Sequence, residues 1–334
     1  MKKSIYILLI VVFSTVVIPA KTVPMPELVN PNTLTIDGDH IYITDLTTVY
    51  IFASSDFKLI HKFGQAGDGP GEFRSESELK LFPSTDSLVI NSVSKVSFFT
   101  KEGKFIREFR TPTPGIIFQP LGKMFTVSGK ERENKEEVLT YYLYNEKFEK
   151  GKQVFRIKNP FQATKLLTGF NPLSPERIKC ISTKDKIFIN EFNGFIHVFD
   201  ADGKKLSDIQ YPYAELKVSE TLKEQVYDYY KNYPGLNAMF DSLKPLMNFP
   251  ETFPPVRDFY IVDDKVYVLP FAKEKGMNTF YIFDLTGKFT GKVQVNLQEV
   301  NIMKLYPYAI ANDQLYQLVP NEDDEFKLHI TPMK

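Results

Sequence analysis

The sequence predicts an all-β protein, a six-bladed β-propeller closed by its N-terminal strand, with a small α-helical insertion before blade five. Three observations predict it. A strand–turn–strand pattern recurs six times. Its spacing is near that of a propeller blade. The last copy lacks an outer strand, which the other end of the chain can supply.

The recurring unit is a four-residue aromatic or β-branched strand, a turn that often carries Gly-Lys, and a second strand. The copies begin at Val49, Val96, Tyr141, Ile196, Phe280 and Phe326, separated by 47, 45, 55, 84 and 46 residues. Gly103-Lys104, Gly203-Lys204 and Gly287-Lys288 mark three of the turns. Upstream of each copy lies another short strand, at residues 41–43, 88–90, 124–127, 187–189, 266–268 and 315–318. Short β-branched and aromatic runs bounded by Gly, Asp and Asn are strand and hairpin signals.

The sixth copy ends the chain, so residues 22–28 are the natural donors of its outer strand. Pro24 and Pro26 sit two apart, so both missing N–H groups would face the unpaired side of an edge.

The spacing of 84 marks an insertion over about 216–247. Thr221 and Glu224 have capping-box spacing. Leu222, Val226, Tyr229, Tyr230 and Tyr233 recur at helical spacing, and Pro234-Gly235 stops the helix. A second short helix is expected across 236–246. The aromatic stripe suits packing on the ring, or a wall beside the channel mouth.

Composition narrows the function classes. The 334 residues carry 41 Lys+Arg against 41 Asp+Glu, which argues against a nucleic-acid binder held by bulk positive charge. One cysteine and four histidines leave no cysteine-based zinc cluster and no intrachain disulfide. Met1-Lys2-Lys3 followed by fourteen mostly apolar residues, from Ile5 to Ile18, is a secretory signal pattern. The domain reading is therefore a signal peptide at 1–20, cleaved after Ala20, and a propeller at 21–334. The protein is expected to be exported to a periplasmic or extracellular space. Membrane contact is expected only if the signal segment stays uncleaved as a tether.

The stretch Phe63-Gly64-Gln65-Ala66-Gly67-Asp68-Gly69-Pro70-Gly71-Glu72-Phe73 resembles the FG…GPGEF signature of bacterial six-bladed propellers of the NHL-repeat and TolB-like group. Phe253-Pro254-Pro255-Val256-Arg257-Asp258-Phe259, with Asp263-Asp264-Lys265-Val266-Tyr267-Val268 after it, is similar to a second segment of that group. The resemblance spans almost the whole mature chain and implies the propeller fold and export. Many members carry a lipoprotein cysteine, which this chain lacks. The resemblance carries over no reaction to named residues.

Other motifs take structural readings. The glycines at 64, 67, 69 and 71 precede Glu72-Phe73 rather than Lys-Ser/Thr and a helix, so they read as a tight inter-blade turn and not a phosphate loop. His40, His61, His197 and His329 read as surface residues. Asp37-Gly38-Asp39 and Asp263-Asp264 are turn residues. Glu322-Asp323-Asp324-Glu325 reads as a solvated hairpin loop, with weak calcium binding as its alternative. The mixed-charge run at 130–137 reads as a long exposed hairpin, and Cys180 as a core residue.

The candidate ligand-binding residues are cations and an acid entering inner strands, which line the channel of a propeller: Arg177, Lys179, Arg257, Asp258 and Lys304. Arg257 suits either an anion clamp or a structural pair. No catalytic set is assembled and no cofactor is required, with calcium as the sole candidate. The expected function is a non-catalytic propeller binding a protein, peptide or glycan at one face. The runner-up is a propeller enzyme, a metal-assisted lactonase- or esterase-like hydrolase or a lyase, acting in the channel. An envelope scaffold using the Tyr-rich insert is a third reading.

Overall fold

The second and third strands of each repeat are apolar on both faces, so each sheet needs a neighbour on either side, and a ring of sheets supplies both. In the computed structural model, which describes residues 20–74, 79–113, 115–175, 178–191, 193–211 and 214–333, six four-stranded antiparallel sheets form this ring. In blade 2 every residue of the middle strands Leu88–Ser92 and Lys95–Phe99 is buried, while its outer strand Phe105–Arg110 is largely exposed. The inner strands, blades 1 to 6, are Pro31–Asp37, Lys80–Pro83, Ile117–Leu121, Cys180–Ser182, Asp258–Val262 and Tyr308–Ala311. The expected signal segment lies outside the described residues, save Ala20.

Closure occurs where the repeat pattern places it, over a shorter strand than 22–28. Lys21–Pro24 pairs antiparallel with Phe326–Pro332, with Val23 opposite Leu328. Met25 N donates to Phe326 O at 2.9 Å, so residues 21, 23 and 25 turn toward the partner and Pro24 faces the unpaired side. Pro26 lies in the turn beyond. Met25 and Leu28 then enter the core between blades 6 and 1 beside Leu34, Ile43, Leu318 and Leu328. The buried Asp45 carboxylate accepts from Val29 N at 2.6 Å and Asn30 N at 2.9 Å, fixing the crossing into blade 1.

The Gly-Lys turns have a shared cause. Gly103, Gly203 and Gly287 have φ of 87°, 70° and 90°. A side chain on Gly103 would meet the Phe63 ring at 2.5 Å, and one on Gly203 would meet Val154 at 2.9 Å. Both contacts are with the outer strand of the preceding blade, so left-handed conformation and close approach together select glycine. The turn's leading side chain caps it: Asp200 Oδ1 accepts from Asp202 N and Lys204 N, and Asp284 Oδ1 from Thr286 N and Lys288 N.

The insertion falls between the outer strand of blade 4, Lys205–Gln210, and the inner strand of blade 5. Helix α1 spans Glu220–Asn232 and helix α2 spans Phe240–Leu243, with short 3-10 turns at Asn237–Met239 and Lys244–Leu246. The cap of α1 is Ser219, whose hydroxyl accepts from Leu222 N, and not the expected Thr221. The stems of the insertion pair through Val218 N to Glu251 O and Phe253 N to Leu216 O. Val226, Tyr230, Leu243 and Met247 pack with Phe170 and Leu173 from the preceding inter-blade loop and with Ile302 from the following one. The insertion is thus one part of a cap with its own apolar core over the blade 4 to 6 sector. Among the described residues, no helix is long and apolar enough to cross a membrane.

The 130–137 run is the tip of a hairpin formed by Met124–Glu133 and Glu136–Tyr144. His197 is not a surface residue: it is 7% exposed, with Nδ1 2.5 Å from Asp208 and Nε2 2.7 Å from Glu191. Residues 196–199 of its strand are all buried, and its two carboxylate partners stay part-exposed at the edge.

A chain beginning at Asn32 is expected to lose the closing strand and with it the burial of Met25 and Leu28. Met25→Ala alone should cost about 2–5 kcal/mol in urea unfolding, as other large-to-small core changes do. A stability equal to the full ring after either change would remove the closure argument.

Candidate ligand site at the channel mouth

Inner strands start at the mouth of the ring, so the residues preceding them or opening them reach its rim. Lys179 precedes the inner strand of blade 4, Arg257 and Asp258 open that of blade 5, and Lys304 lies in a short hairpin, Glu299–Asn301 with Lys304–Leu305, before that of blade 6. All four line one open cavity of about 660 Å³, together with Lys80, Tyr260, Tyr306 and Tyr308. Arg177, the fifth expected site residue, lies outside the described residues. Lys80 was missed, although it opens the inner strand of blade 2 and obeys the same rule. Tyr308 was missed because its sequence context is that of an ordinary strand aromatic.

Asp258 is the hub of the rim. Its Oδ1 lies 2.5 Å from Lys179 Nζ and accepts from Phe259 N at 2.8 Å, and its Oδ2 accepts from the Tyr308 hydroxyl at 2.7 Å. Blades 4, 5 and 6 meet on this one carboxylate. Burial, then the charge of Asp258, pushes the Tyr308 phenol well above its ordinary pKa, and the same causes push Tyr260 up to about 12. Both tyrosines therefore stay neutral hydroxyl groups across the physiological range.

Arg257 is 3% exposed at its side chain, and its guanidinium is committed to the protein. Nη1 donates to Glu299 Oε1 at 2.7 Å and Nη2 to Asn301 O at 3.1 Å, with the Phe271 ring 5.4 Å from the guanidinium carbon. Glu299 also takes Lys273 Nζ at 3.0 Å and Asn278 Nδ2 at 3.3 Å. Burial works to raise the Glu299 pKa, but Arg257, Lys273 and Asn278 outweigh it and hold the carboxyl below its ordinary value. Arg257 is thus a wall and a brace of the mouth, which is the structural-pair alternative of the sequence reading.

Beside the mouth, under α1, is a second, narrower cavity of about 230 Å³. Pro172, Leu173, Pro175, Tyr229, Tyr233, Leu236, Pro254 and Phe271 make its apolar walls, and Lys179, Arg257 and Met303 line both cavities. The Tyr stripe of α1 therefore does two things: Val226 and Tyr230 fill the cap core, and Tyr229, Tyr230 and Tyr233 border the crevice.

The GPGEF turn folds on itself, with Glu72 Oε2 accepting from Gly69 N, Gln65 Nε2 donating to Glu72 Oε1, and Phe73 buried. The 322–325 loop is a hairpin turn organised by Asn321, whose Oδ1 accepts from Asp323 N and Glu325 N. Cys180 is buried, and burial pushes its thiol up to about 12. No group of three or more His, Cys, Asp or Glu side chains able to hold a metal occurs among the described residues.

No protein-family model and no curated protein matches the sequence. Likeness is found among solved structures, and it is one of fold. The chain is similar to U3-55K, at 9% identity over 94% of this chain and 98% of that one, with a TM-score of 0.51. It also aligns with a protein of unknown function from Bacteroides caccae, at 9% identity, 85% and 84% coverage and a TM-score of 0.43. BamB from Moraxella catarrhalis aligns at 10% identity, 89% and 70% coverage and a TM-score of 0.34.

Arg257→Met is expected to leave Glu299 with Lys273 and Asn278 alone and to cost about 1–3 kcal/mol at neutral pH. Arg257→Lys should not recover it, because one ammonium cannot span Glu299 and Asn301 O as the planar fork does. The depressed Glu299 pKa means that the unfolded chain binds the proton more readily than the folded one. Its stabilisation is then full above the ordinary value of 4.5 and is lost as pH falls through the folded value. Urea unfolding across this window should show an acid-sensitive component that shrinks in Arg257→Met.

Proposed function

We propose that the chain is an exported, non-catalytic propeller of the NHL-repeat and TolB-like group that binds a protein, peptide or glycan at the capped face of the ring. The observation that carries this reading is the convergence of Lys80, Lys179, Lys304 and Asp258 on one rim, beside an apolar crevice whose wall the insertion supplies. A propeller fold alone supports ligand binding in general, since its rim gathers side chains from many inner strands onto a rigid base. The GPGEF turn, built as a self-capped crossing, supports the family reading. The Lys-Lys and apolar N-terminal run supports export. Arg257 acts here as a positioning residue that holds Glu299 and the hairpin carrying Lys304.

Two measurements test this. Expression of the full sequence in a bacterial host should yield exported protein beginning at Lys21; intact retention of residues 1–20 on the membrane would favour the tethered form. For the site, peptide and glycan arrays should return ligands whose affinity falls about tenfold on Lys179→Met or Lys304→Glu, as loss of one charged contact at a partly desolvated site does. Ligands indifferent to both substitutions and to deletion of 216–247 would move the site off this face. Calcium bound stoichiometrically to the purified chain would favour the lactonase-like alternative instead.

A further inference from the structure

The ligand class can be narrowed, on the reading that the mouth is the binding site. We infer that the mouth and the crevice under α1 form one bipartite site for the carboxyl-terminal residue of a peptide or protein, with an apolar side chain.

Charge is the first argument. Four cationic side chains and one acid line the mouth, in a chain whose charges balance overall. Arg257 is spent on Glu299, and Lys179 shares one of its three ammonium hydrogens with Asp258, leaving donors for a further anion. The Lys304 ammonium forms no ion pair among the described residues. Lys179 and Lys304 are thus the cations that can draw an anionic group to the rim.

The crevice is the second argument. Its volume of about 230 Å³ and its walls of proline, leucine, tyrosine and phenylalanine suit a single apolar side chain. A sugar ring would set hydroxyl groups against the proline, leucine and phenylalanine walls, with Ser174, Asn190, Lys179 and the tyrosine edges as the polar lining, and each hydroxyl left unpaired there costs a hydrogen bond. This favours a peptide over a glycan.

Asn190 is the third. It lines the crevice, and its buried Oδ1 has no hydrogen-bond partner among the described residues. Asn190 N donates to Lys179 O at 3.0 Å, so the two residues are neighbours, and Lys179 lines both cavities. A buried acceptor left unpaired is costly, and an incoming amide N–H would relieve it. An anion, an N–H donor and an apolar group in immediate succession are the three features of a peptide's last residue.

The test uses the mature chain and pairs of N-acetylated tripeptides, Gly-Gly-Leu and Gly-Gly-Phe, each as the free acid and as the carboxamide, by titration calorimetry. At least one acid should bind, with its amide about tenfold weaker or worse, because only the acid places a charge beside Lys179. Lys179→Met should remove most of the preference for acid over amide while leaving amide affinity nearly unchanged. Circular dichroism checks that this variant is folded. The Lys304→Glu substitution, at an exposed position, provides the same comparison without touching Asp258. Equal binding of acid and amide would overturn the inference. So would no acid binding up to about 1 mM, the weak end of specific recognition. If a uronate oligosaccharide or an internal peptide segment then binds in a manner sensitive to the mouth substitutions, the broader reading of the site survives and the carboxyl-terminal one does not.

Discussion

At five of the junctions between blades, crossings and inner-strand edges carry main-chain groups into a packed interior, and the ring depends on side chains that satisfy them there. Asp45 takes two N–H groups where the chain passes from the closing strand into blade 1. Lys95 Nζ donates to Gly69 O and Glu108 accepts from Gly71 N at the next crossing. Asn91 both accepts from Phe118 N and donates to Phe118 O; Gln119 does the same for Ser182 N and Cys180 O, and Gln317 for Gln298. A backbone group buried without such a partner costs free energy on the scale of a lost hydrogen bond. The blades pack by apolar area, but these contacts fix where each crossing lies, and so where each inner strand begins at the mouth.

That dependence explains what the sequence made legible. Blade strands are local, repeated and apolar, so periodicity alone placed all six and located the missing strand and the insertion. The crossings are not periodic. Their anchors appear as single polar residues in apolar runs, as Asn91 does after Leu88-Val89-Ile90, and nothing local names the partner 27 residues away. The surface reading of the histidines failed at His197 alone, for the same reason. His197 sits at a position that looks like the solvated side of a strand, but Glu191 and Asp208, which make its burial tolerable, come from a turn and a neighbouring strand.

The site was half legible by a similar logic. Residues that precede or open an inner strand come to the mouth, so Lys179, Arg257, Asp258 and, one short hairpin earlier, Lys304 were found by position. Their roles needed three dimensions. Arg257 and Asp258 are adjacent in sequence yet face different neighbours: one is consumed by Glu299 and Asn301, the other joins Lys179 to Tyr308. The choice between clamp and brace for Arg257 is decided by Glu299, 42 residues on, in a short hairpin that carries no sequence signal of its own.

The position of the insertion follows from the ring as well. Blade 4 has the shortest inner strand, Cys180–Ser182, and the loop before it sends Phe161, Leu166, Phe170 and Leu173 into the cap. With Ile302 from the crossing between blades 5 and 6, these apolar side chains need covering. The amphipathic α1 covers them through Val226 and Tyr230, and its remaining tyrosines border the gap it cannot fill. The crevice lies between the tyrosine edge of α1 and side chains of the neighbouring loops, Pro172, Leu173, Pro254 and Phe271 among them. A propeller with six full inner strands and short crossings would have a symmetric mouth and no such asymmetry. Here the departure from the repeat, the apolar crevice and the charged rim coincide at the junction of blades 4, 5 and 6.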